Sequence, residues 1–296
     1  MKLFSQILIH RRIMIALCIL CIVVLSAVIG PCFSPYDYET GSVAAFSPPS
    51  WQHWGGTDLL GRDVFTRMLY GARISLLVGF VGALVSLLIG VSYGAISGYI
   101  GGKTDLVMMR LVDVLYSIPR LIFVITLISM LDWQMRRLLT RLEWPELAAQ
   151  ARLVLLFVGL GADEWLTMAR IVRGQVLTLK ERQFVTASRA LGQNHFYLLF
   201  RHILPNLMGI ILVYLTLTIP VVILEESLLS FLGLGVQAPL SSWGIMISSG
   251  AQIINPIKSY WWLLFTPSLA MAITLLALNF LGDGLRDWLD PRSQSH

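Results

Sequence analysis

The sequence predicts an all-α membrane protein with six transmembrane helices. Of its 296 residues, 56% are hydrophobic and only 13% are charged, whereas an ordinary soluble domain carries roughly 25% charged residues. The apolar residues gather in long uncharged runs, which is the pattern of helices that cross a bilayer. The formal net charge of +5 comes from the loops that flank these runs, so it does not indicate binding of nucleic acid.

The first predicted span is an N-terminal anchor at about residues 13–30. A basic cluster ending at Arg12 precedes the uncharged run, and Pro31 and Pro35 are expected to end the helix. No convincing small-residue cleavage site follows, so we expect a retained anchor and not a removed signal peptide. Cys18 and Cys21 spell CxxC, but no further Cys or His lies at zinc spacing, so we interpret them as packing residues. Residues 1–72 form the first predicted domain, an anchor with an extracytoplasmic segment.

The second span is predicted at about residues 74–98 and is rich in glycine, which lets helices pack closely in lipid. Before it, apolar residues at helical spacing in Asp63–Tyr70 predict a helix lying on the membrane surface. After it, Ser97–Thr104 resembles a phosphate-binding loop, but it has Ser97 where the first Gly is needed and no preceding strand. We interpret it as a tight turn between helices.

The third and fourth spans, at about 106–131 and 151–172, contain charges. Pro119 predicts a break in the third span. Arg120 next to it would be energetically unfavourable at mid-bilayer depth. The charged and aromatic segment 132–150 receives no predicted structure. Asp163 and Glu164 bring the insertion free energy of the fourth span close to zero. The span is therefore expected either to turn these acids away from lipid or to lie displaced toward an interface.

The last two spans are predicted at about 207–226, with a kink at Pro220, and at 260–282. They complete a second domain of residues 73–283, followed by a tail of residues 284–296. Six spans place both termini on one side, and the larger share of Lys and Arg in the loops on that side assigns it to the cytoplasm.

Residues 180–206, between two of these spans, predict two short helices with a sharp break. Gly192 is suited to stop the first helix because it accepts a left-handed conformation. Asn194 is suited to cap the second helix, and Pro205 is expected to end it. A bent, basic, polar hairpin of this kind indicates that something docks on it.

This hairpin resembles the signature loop of the membrane subunits of ATP-binding-cassette (ABC) importers, whose pattern is Glu-Ala-Ala, then Gly, then Ile-x-Leu-Pro. Thr186 stands where the family has Glu, and Ser188 replaces the second Ala, which puts a salt bridge from the Glu position in doubt. The resemblance implies a coupling loop seated in a cytoplasmic ATPase subunit. The residues that it assigns to this loop are Thr186, Ala187, Ser188, Arg189, Ala190, Leu191, Gly192, Ile203 and Pro205.

The resemblance covers nearly the whole chain and is closest to the second ("C-type") permease of dipeptide, oligopeptide and nickel importers. The motifs that carry it are Gly56–Asp63, Ile118-Pro119, Ala169–Gly174, Ser230–Gly235 and Leu281–Pro291. It implies the type I ABC importer permease fold in the bacterial inner membrane, with a homologous second permease, two ATPase subunits, an extracytoplasmic binding protein and a peptide substrate. It also implies that this chain binds no cofactor, ATP and Mg²⁺ being held by the ATPase subunits.

The same resemblance assigns the outward loop 225–243 to a periplasmic gate. The candidate gate residues are Glu225, Glu226, Phe231, Gly233, Gly235 and Trp243. A plain re-entrant turn made by the two glycines explains the loop about equally well.

Two other functions compete with the importer subunit. An ion-coupled carrier would use the acids in and beside the spans, namely Asp163, Glu164, Glu225 and Glu226, but no inverted repeat is visible. An intramembrane serine enzyme would use Ser97 as its nucleophile. Every histidine lies outside the predicted spans, however, so Ser97 has no histidine within the membrane to act as its general base. Neither alternative explains the hairpin, so the sequence favours the importer subunit, with the transported solute left open.

Overall fold

The computed structural model describes residues 2–237, 239–254 and 258–289, and these residues are helical apart from segment 34–63 and short connections. The all-α fold predicted from the sequence is therefore confirmed for the described chain. The helices, in chain order, are α1 (Lys2–Phe33), α2 (Val64–Ile100), α3 (Gly102–Tyr116), α4 (Arg120–Arg141), α5 (Pro145–Ala149), α6 (Ala151–Lys180), α7 (Gln183–Ala190), α8 (His195–Tyr197), a π-helical turn (Leu198–Ile203), α9 (Leu204–Phe231), α10 (Trp243–Gln252) and α11 (Trp261–Leu289).

Within the described residues, four helices are long and apolar enough to cross a membrane. They are Arg11–Phe33 of α1, all of α2, the continuous helix His195–Phe231, and α11. The pair α3 and α4 would add a fifth if it forms one span, since it passes the same criterion with a bend of 89°. The break predicted at Pro119 is thereby confirmed.

The boundaries predicted near the N-terminus differ in part from the structure. α1 ends at Phe33, beyond Pro31 but before Pro35, and Pro31 inside the helix leaves the carbonyl four residues earlier without its helical donor. Arg73 supplies that donor, because its Nε bonds the Ala27 carbonyl at 2.6 Å and an Nη bonds the Val28 carbonyl at 2.7 Å. The same bonds accommodate Arg73 inside a long helix, so Asp63–Tyr70 is not a separate surface helix but the start of α2.

The segment 132–150, left without a predicted structure, is largely helical. α4 continues past the apolar run to Arg141, and α5 covers Pro145–Ala149. On the exposed part of α4 the Asp132 carboxylate accepts from Arg136, one turn later, at 3.1 Å. At the other end of the chain α11 extends to Leu289, so the tail predicted at 284–296 begins as helix, and residues 290–296 lie outside the described part.

The described chain divides into two compact units. The first contains residues 2–80 and 219–288, and the second contains residues 81–218 with Leu289. Both α2 and α9 contribute one part to each unit.

The second unit is built on close contact between α2 and α6. A Cβ added at Gly90 would lie 2.6 Å from the Cβ of Met168, and one added at Gly94 would lie 3.0 Å from the Cβ of Val172. Glycine at these positions therefore lets the two helices approach more closely than alanine would. This result confirms the prediction that the glycines of the second span serve helix packing.

Candidate functional site

The corner of the hairpin at residues 180–206, here called the coupling hairpin, is closed by backbone hydrogen bonds. Gly192 has φ of 77° and is the left-handed residue after α7. Its N–H donates to the Arg189 carbonyl at 3.0 Å, and the Gln193 N–H donates to the Ser188 carbonyl at 3.3 Å. These two bonds form a Schellman motif, which satisfies carbonyls that the helix end would leave unpaired. The stop predicted at Gly192 is confirmed.

The second arm of the hairpin begins as predicted but does not end as predicted. Asn194 is extended, with ψ of 145°, and its side chain accepts a hydrogen bond from the Phe196 N–H at 3.4 Å. Pro205, however, lies inside the helix, which continues without a break to Phe231. The π-helical turn Leu198–Ile203 comes just before it, and a wider turn relieves the clash between a proline ring and the preceding carbonyls.

One face of the hairpin is fixed to the second unit. Val185, Leu198 and Ile203 are fully buried, in a cluster with Val176 of α6 and Leu207 of α9. Because burying each of these side chains stabilises the fold by about 1.5–3 kcal/mol, the hairpin is held firmly on this side. It is therefore a rigid part of the unit and not a free loop.

The opposite face exposes large apolar side chains. Leu191 at the corner is 82% exposed, and Phe196 and Phe200 are 72% and 61% exposed. The two phenylalanine rings are parallel, with an interplanar angle of 3° and centroids 6.3 Å apart. Exposed aromatic residues on a rigid polar hairpin are typical of a protein-binding surface.

The residues predicted for the coupling loop lie along this hairpin. Thr186, Ala187, Arg189 and Ala190 are exposed on α7, and Ser188 is half-buried. All five residues lie on α7, the short helix that ends at the corner.

The Thr186 hydroxyl donates to the Gln183 carbonyl in its own helix at 2.9 Å. The hydroxyl is therefore used within α7 itself.

A cluster of ion pairs that the sequence did not predict ties α3 to α6 near the hairpin. Arg173 binds both carboxylate oxygens of Asp105, with the second bond at 2.6 Å, and the buried Ser97 hydroxyl donates to the same carboxylate at 2.6 Å. Arg170 binds Asp113 at 2.8 Å. Both arginines belong to the motif Ala169–Gly174. Their spacing of three residues places them on one face of a helix, and this spacing is the sequence feature from which the cluster could have been predicted.

The same contacts decide two of the sequence interpretations. Ser97 is fully buried and bonded to Asp105, which argues against a role as nucleophile. In the segment Ser97–Thr104, the first four residues end α2 and the last three begin α3, and the turn between them lies at Gly101, which has φ of 72°. It is a turn between helices, as predicted, and it follows a helix where a phosphate-binding loop follows a strand.

Arg120, which as an isolated charge would be energetically unfavourable at mid-bilayer depth, has two acidic partners in the second unit. Its Nε lies 3.0 Å from Asp163 and an Nη lies 2.8 Å from Glu164, and both acidic side chains are buried. Burying an unpaired charge is very costly, so the cation and the acids of α6 compensate one another. Their burial agrees with the first of the two expectations, that the acids turn away from lipid.

The loop 225–243, which the sequence predicted to face outward, is organised around Glu226, which is fully buried in the first unit. One oxygen of its carboxylate accepts hydrogen bonds from Ser230 at 2.7 Å and from Ser242 at 2.8 Å. Ser242 also caps α10, accepting from the Ile245 N–H at 3.2 Å. Glu226 therefore connects the end of α9 to the start of α10.

Trp243 and the two loop glycines complete this arrangement. Trp243 is 1% exposed; its N–H donates to Ser75 at 3.1 Å and its indole donates to the Met68 carbonyl at 3.2 Å, both on α2. Gly233 has φ of 76°, and Gly235 packs against Ser230 too closely for a Cβ. Trp243 therefore fixes the loop to α2, and the two glycines allow the chain to reverse direction after α9.

The remaining predicted gate residues are more accessible. Phe231 at the end of α9 is 51% exposed, and Glu225 is half-buried.

The motif Gly56–Asp63 proves to be a folded connection at the start of α2. Asp58 accepts from Arg62 at 2.8 Å and also pairs with Arg67. Asp63 caps α2 by accepting from the Thr66 N–H at 2.7 Å, and its other oxygen lies 2.9 Å from His53. The sequence identified this motif only by resemblance, and the structure shows that it positions the first turns of a spanning helix.

Two family models match the chain. Residues 90–295 match the model described as "Binding-protein-dependent transport system inner membrane component". Residues 4–49 match that described as "N-terminal TM domain of oligopeptide transport permease C". The first model alone covers more than half of the chain and includes the coupling hairpin and the outward loop.

Curated relatives resemble the chain over almost its whole length. It is 46% identical to the dipeptide transport system permease protein DppC of Bacillus subtilis, over 96% of this chain and 82% of the relative. It is 46% identical to the oligopeptide transport system permease protein OppC of the same organism and 42% identical to that of Escherichia coli K12. These two matches cover 96% of this chain and 86% and 89% of the relatives.

The chain belongs to the binding-protein-dependent transport family of inner membrane components. It is thus a membrane transport subunit and not an enzyme, since in ABC transporters the ATPase is a separate subunit. The serine-enzyme alternative is thereby excluded, and the family identified from the sequence motifs is confirmed.

Proposed function

We propose that this chain is one of two homologous permease subunits of an ATP-driven peptide importer in the bacterial inner membrane. The named relatives support peptide as the substrate class, because they are dipeptide and oligopeptide permeases matched over 96% of this chain. The proposal includes two cytoplasmic ATPase subunits and an extracytoplasmic binding protein as further partners. ATP and Mg²⁺ belong to the ATPase subunits, and this chain itself binds no cofactor.

The observation that carries the proposal is the coupling hairpin. Its buried face is fixed to the second unit by Val185, Leu198 and Ile203, and its exposed face presents Leu191 and a stacked aromatic pair. A rigid projection with an apolar tip suits docking into a cleft of another protein, and it suits transmission of force when that protein moves.

The proposed topology has six spans with both termini in the cytoplasm. It counts α1, α2, the bent pair α3–α4, α6, the helix ending at Phe231, and α11. α6 is the one of them that does not meet the combined criterion of hydropathy and charge for a membrane span, and the pairing of its two acids with Arg120 supports its placement within the bilayer. In this topology the coupling hairpin is cytoplasmic and the loop around Glu226 faces outward as part of the gate.

Reconstitution in proteoliposomes tests this function. We expect the chain alone neither to hydrolyse ATP nor to accumulate labelled peptide. Joined by its partner permease and the two ATPase subunits, it should hydrolyse ATP faster when peptide-loaded binding protein is added, and peptide should accumulate. Peptide uptake by the lone chain under a proton or sodium gradient would contradict the proposal and favour the ion-coupled carrier.

A further inference from the structure

A cavity of about 700 Å³ opens beside the coupling hairpin, within the second unit. Its apolar wall comes from the last turn of α2, where Ile96 and Ile100 are 44% and 57% exposed, and from Leu199 of the π-helical turn. Because α2 is apolar and long enough to cross a membrane, this wall continues the exposed apolar surface of a candidate spanning helix to its end.

The rim of the cavity is basic. Lys180, Arg189 and His195 are among the eight residues that line it, and none of those eight is acidic. The Lys180 ammonium donates one hydrogen bond to the Tyr99 carbonyl at 2.5 Å, which leaves two of its N–H groups available. Arg189 is exposed and, among the described residues, pairs with no carboxylate.

His195 is held in a fixed position at this rim. Its Nδ1 lies 2.8 Å from the Tyr99 hydroxyl. With that hydroxyl donating, the neutral imidazole carries its proton on Nε2, which makes Nε2 a further donor. Two of the three rim side chains are thus oriented by Tyr99, so the basic rim is a built arrangement and not a chance group of flexible side chains.

We propose that this cavity binds an anionic phospholipid, with the phosphate among the three basic side chains and an acyl chain along the wall of α2. Basic pockets at the cytoplasmic ends of spanning helices bind anionic headgroups in this way. An acidic protein segment would match the cations but would leave the apolar wall uncovered, whereas a phospholipid matches both. The location at a membrane surface rests on the topology proposed above.

Photocrosslinking of the assembled transporter tests the occupant directly. A benzophenone amino acid replaces Ile100, and the complex is placed in nanodiscs of phosphatidylcholine with a minority of phosphatidylglycerol. Leu88, which is 58% exposed on the same helix and does not line the cavity, carries the probe in the control. After irradiation, mass spectrometry identifies each adduct.

We expect the adducts at Ile100 to be several-fold enriched in phosphatidylglycerol, and those at Leu88 to follow the composition of the disc. Lys180→Gln should lower the enrichment about fivefold, the contribution of one basic residue near an anionic lipid surface, while Lys180→Arg should preserve it. His195→Gln, which keeps a donor but not a titratable ring, provides a second variant if Lys180→Gln does not assemble.

Equal phosphatidylglycerol content at the two probe positions would overturn the proposal. An adduct between Ile100 and an ATPase subunit would also overturn it, by showing that a protein fills the cavity. Neither outcome depends on peptide uptake, so failure of the lipid site and failure of the transport function are distinguishable.

Discussion

The left-handed residue at the corner of the coupling hairpin offers a sharp test of the docking model, through the substitution Gly192→Ala. A Cβ added at Gly192 meets no atom within 4 Å, so the substitution creates no clash. Its whole cost comes from the backbone, because φ is 77° and a left-handed alanine is destabilised by roughly 1–2 kcal/mol. That free energy corresponds to a factor of about 5–30 in the population of the docking-competent corner.

The expected result is a weaker complex with an intact permease. The substitution does not alter the buried face of the hairpin, because Val185, Leu198 and Ile203 keep all their contacts. Titration of the ATPase subunits into permease proteoliposomes should therefore show a 5–30-fold higher concentration for half-maximal peptide uptake. Gly192→Val should be at least as severe, because β-branched side chains tolerate positive φ poorly.

Two matched variants separate the backbone effect from other causes. Gly192→Asn adds a larger side chain, but asparagine adopts the left-handed conformation readily, so it should retain most of the affinity. Gly174→Ala adds a Cβ that also meets open space, within α6, and should be neutral or slightly stabilising. ATPase affinity at the wild-type level in Gly192→Ala, or an equal loss in Gly192→Asn, would refute the reasoning.

Three further predictions follow from contacts in the structure. Single cysteines can be placed at the exposed positions Ser50, Gln237 and Ala190 in a cysteine-free background. A membrane-impermeant thiol reagent on intact cells should label the first two and spare the third. The reverse pattern would show that the topology is inverted. Arg120→Ala should reduce membrane levels on immunoblots because two buried acids lose their cation, and adding Asn and Gln in place of the acids should restore them. Asp105→Asn should lower the unfolding temperature, with about 1.5–3 kcal/mol lost per charged hydrogen bond; an unchanged temperature would show that the tie to α6 contributes little.

The corner of the hairpin could be predicted from sequence because its chemistry is local. A helix stop at Gly192 and a cap at Asn194 depend on residues within one turn, and both are present as expected. The end predicted at Pro205 failed because its outcome depends on tertiary packing. Leu198 and Ile203 are buried on the same side, and the π-helical turn between them lets the helix continue through the proline.

The charges inside apolar helices could not be assigned from sequence for a related reason. Arg73 is satisfied by carbonyls about 45 positions earlier in the chain, and Arg120 by acids about 43 positions later. Neither partner is within reach of a helical or turn pattern. The sequence therefore showed Arg120 only as an unfavourable charge and gave no sign that Arg73 lies inside a helix. Only the fold shows that these charges join one helix to another.

The acids that suggested an ion-coupled carrier can now be weighed one by one. A coupling acid must exchange a proton or cation during each cycle. Asp163 and Glu164 are paired with Arg120, so they are compensated without a transported ion, which favours a structural role. Glu226 is different, because its carboxylate accepts hydrogen bonds from the hydroxyls of Ser230 and Ser242 and not from a cation.

Glu226 is therefore the fully buried acid whose hydrogen bonds come from hydroxyls and not from a cation, and Glu226→Gln tests it as a coupling acid. Glutamine keeps an oxygen that accepts from Ser230 and Ser242, so the connection between α9 and α10 should survive, whereas Glu226→Leu leaves both hydroxyls unsatisfied at about 1–3 kcal/mol each. We expect ATP-dependent peptide uptake to persist in Glu226→Gln and to fall in Glu226→Leu, with no response of either variant or of the wild type to an imposed proton gradient. A gradient-driven flux in the wild type that disappears in Glu226→Gln would show instead that this carboxylate carries protons, and the carrier function would then have to be accepted for this chain.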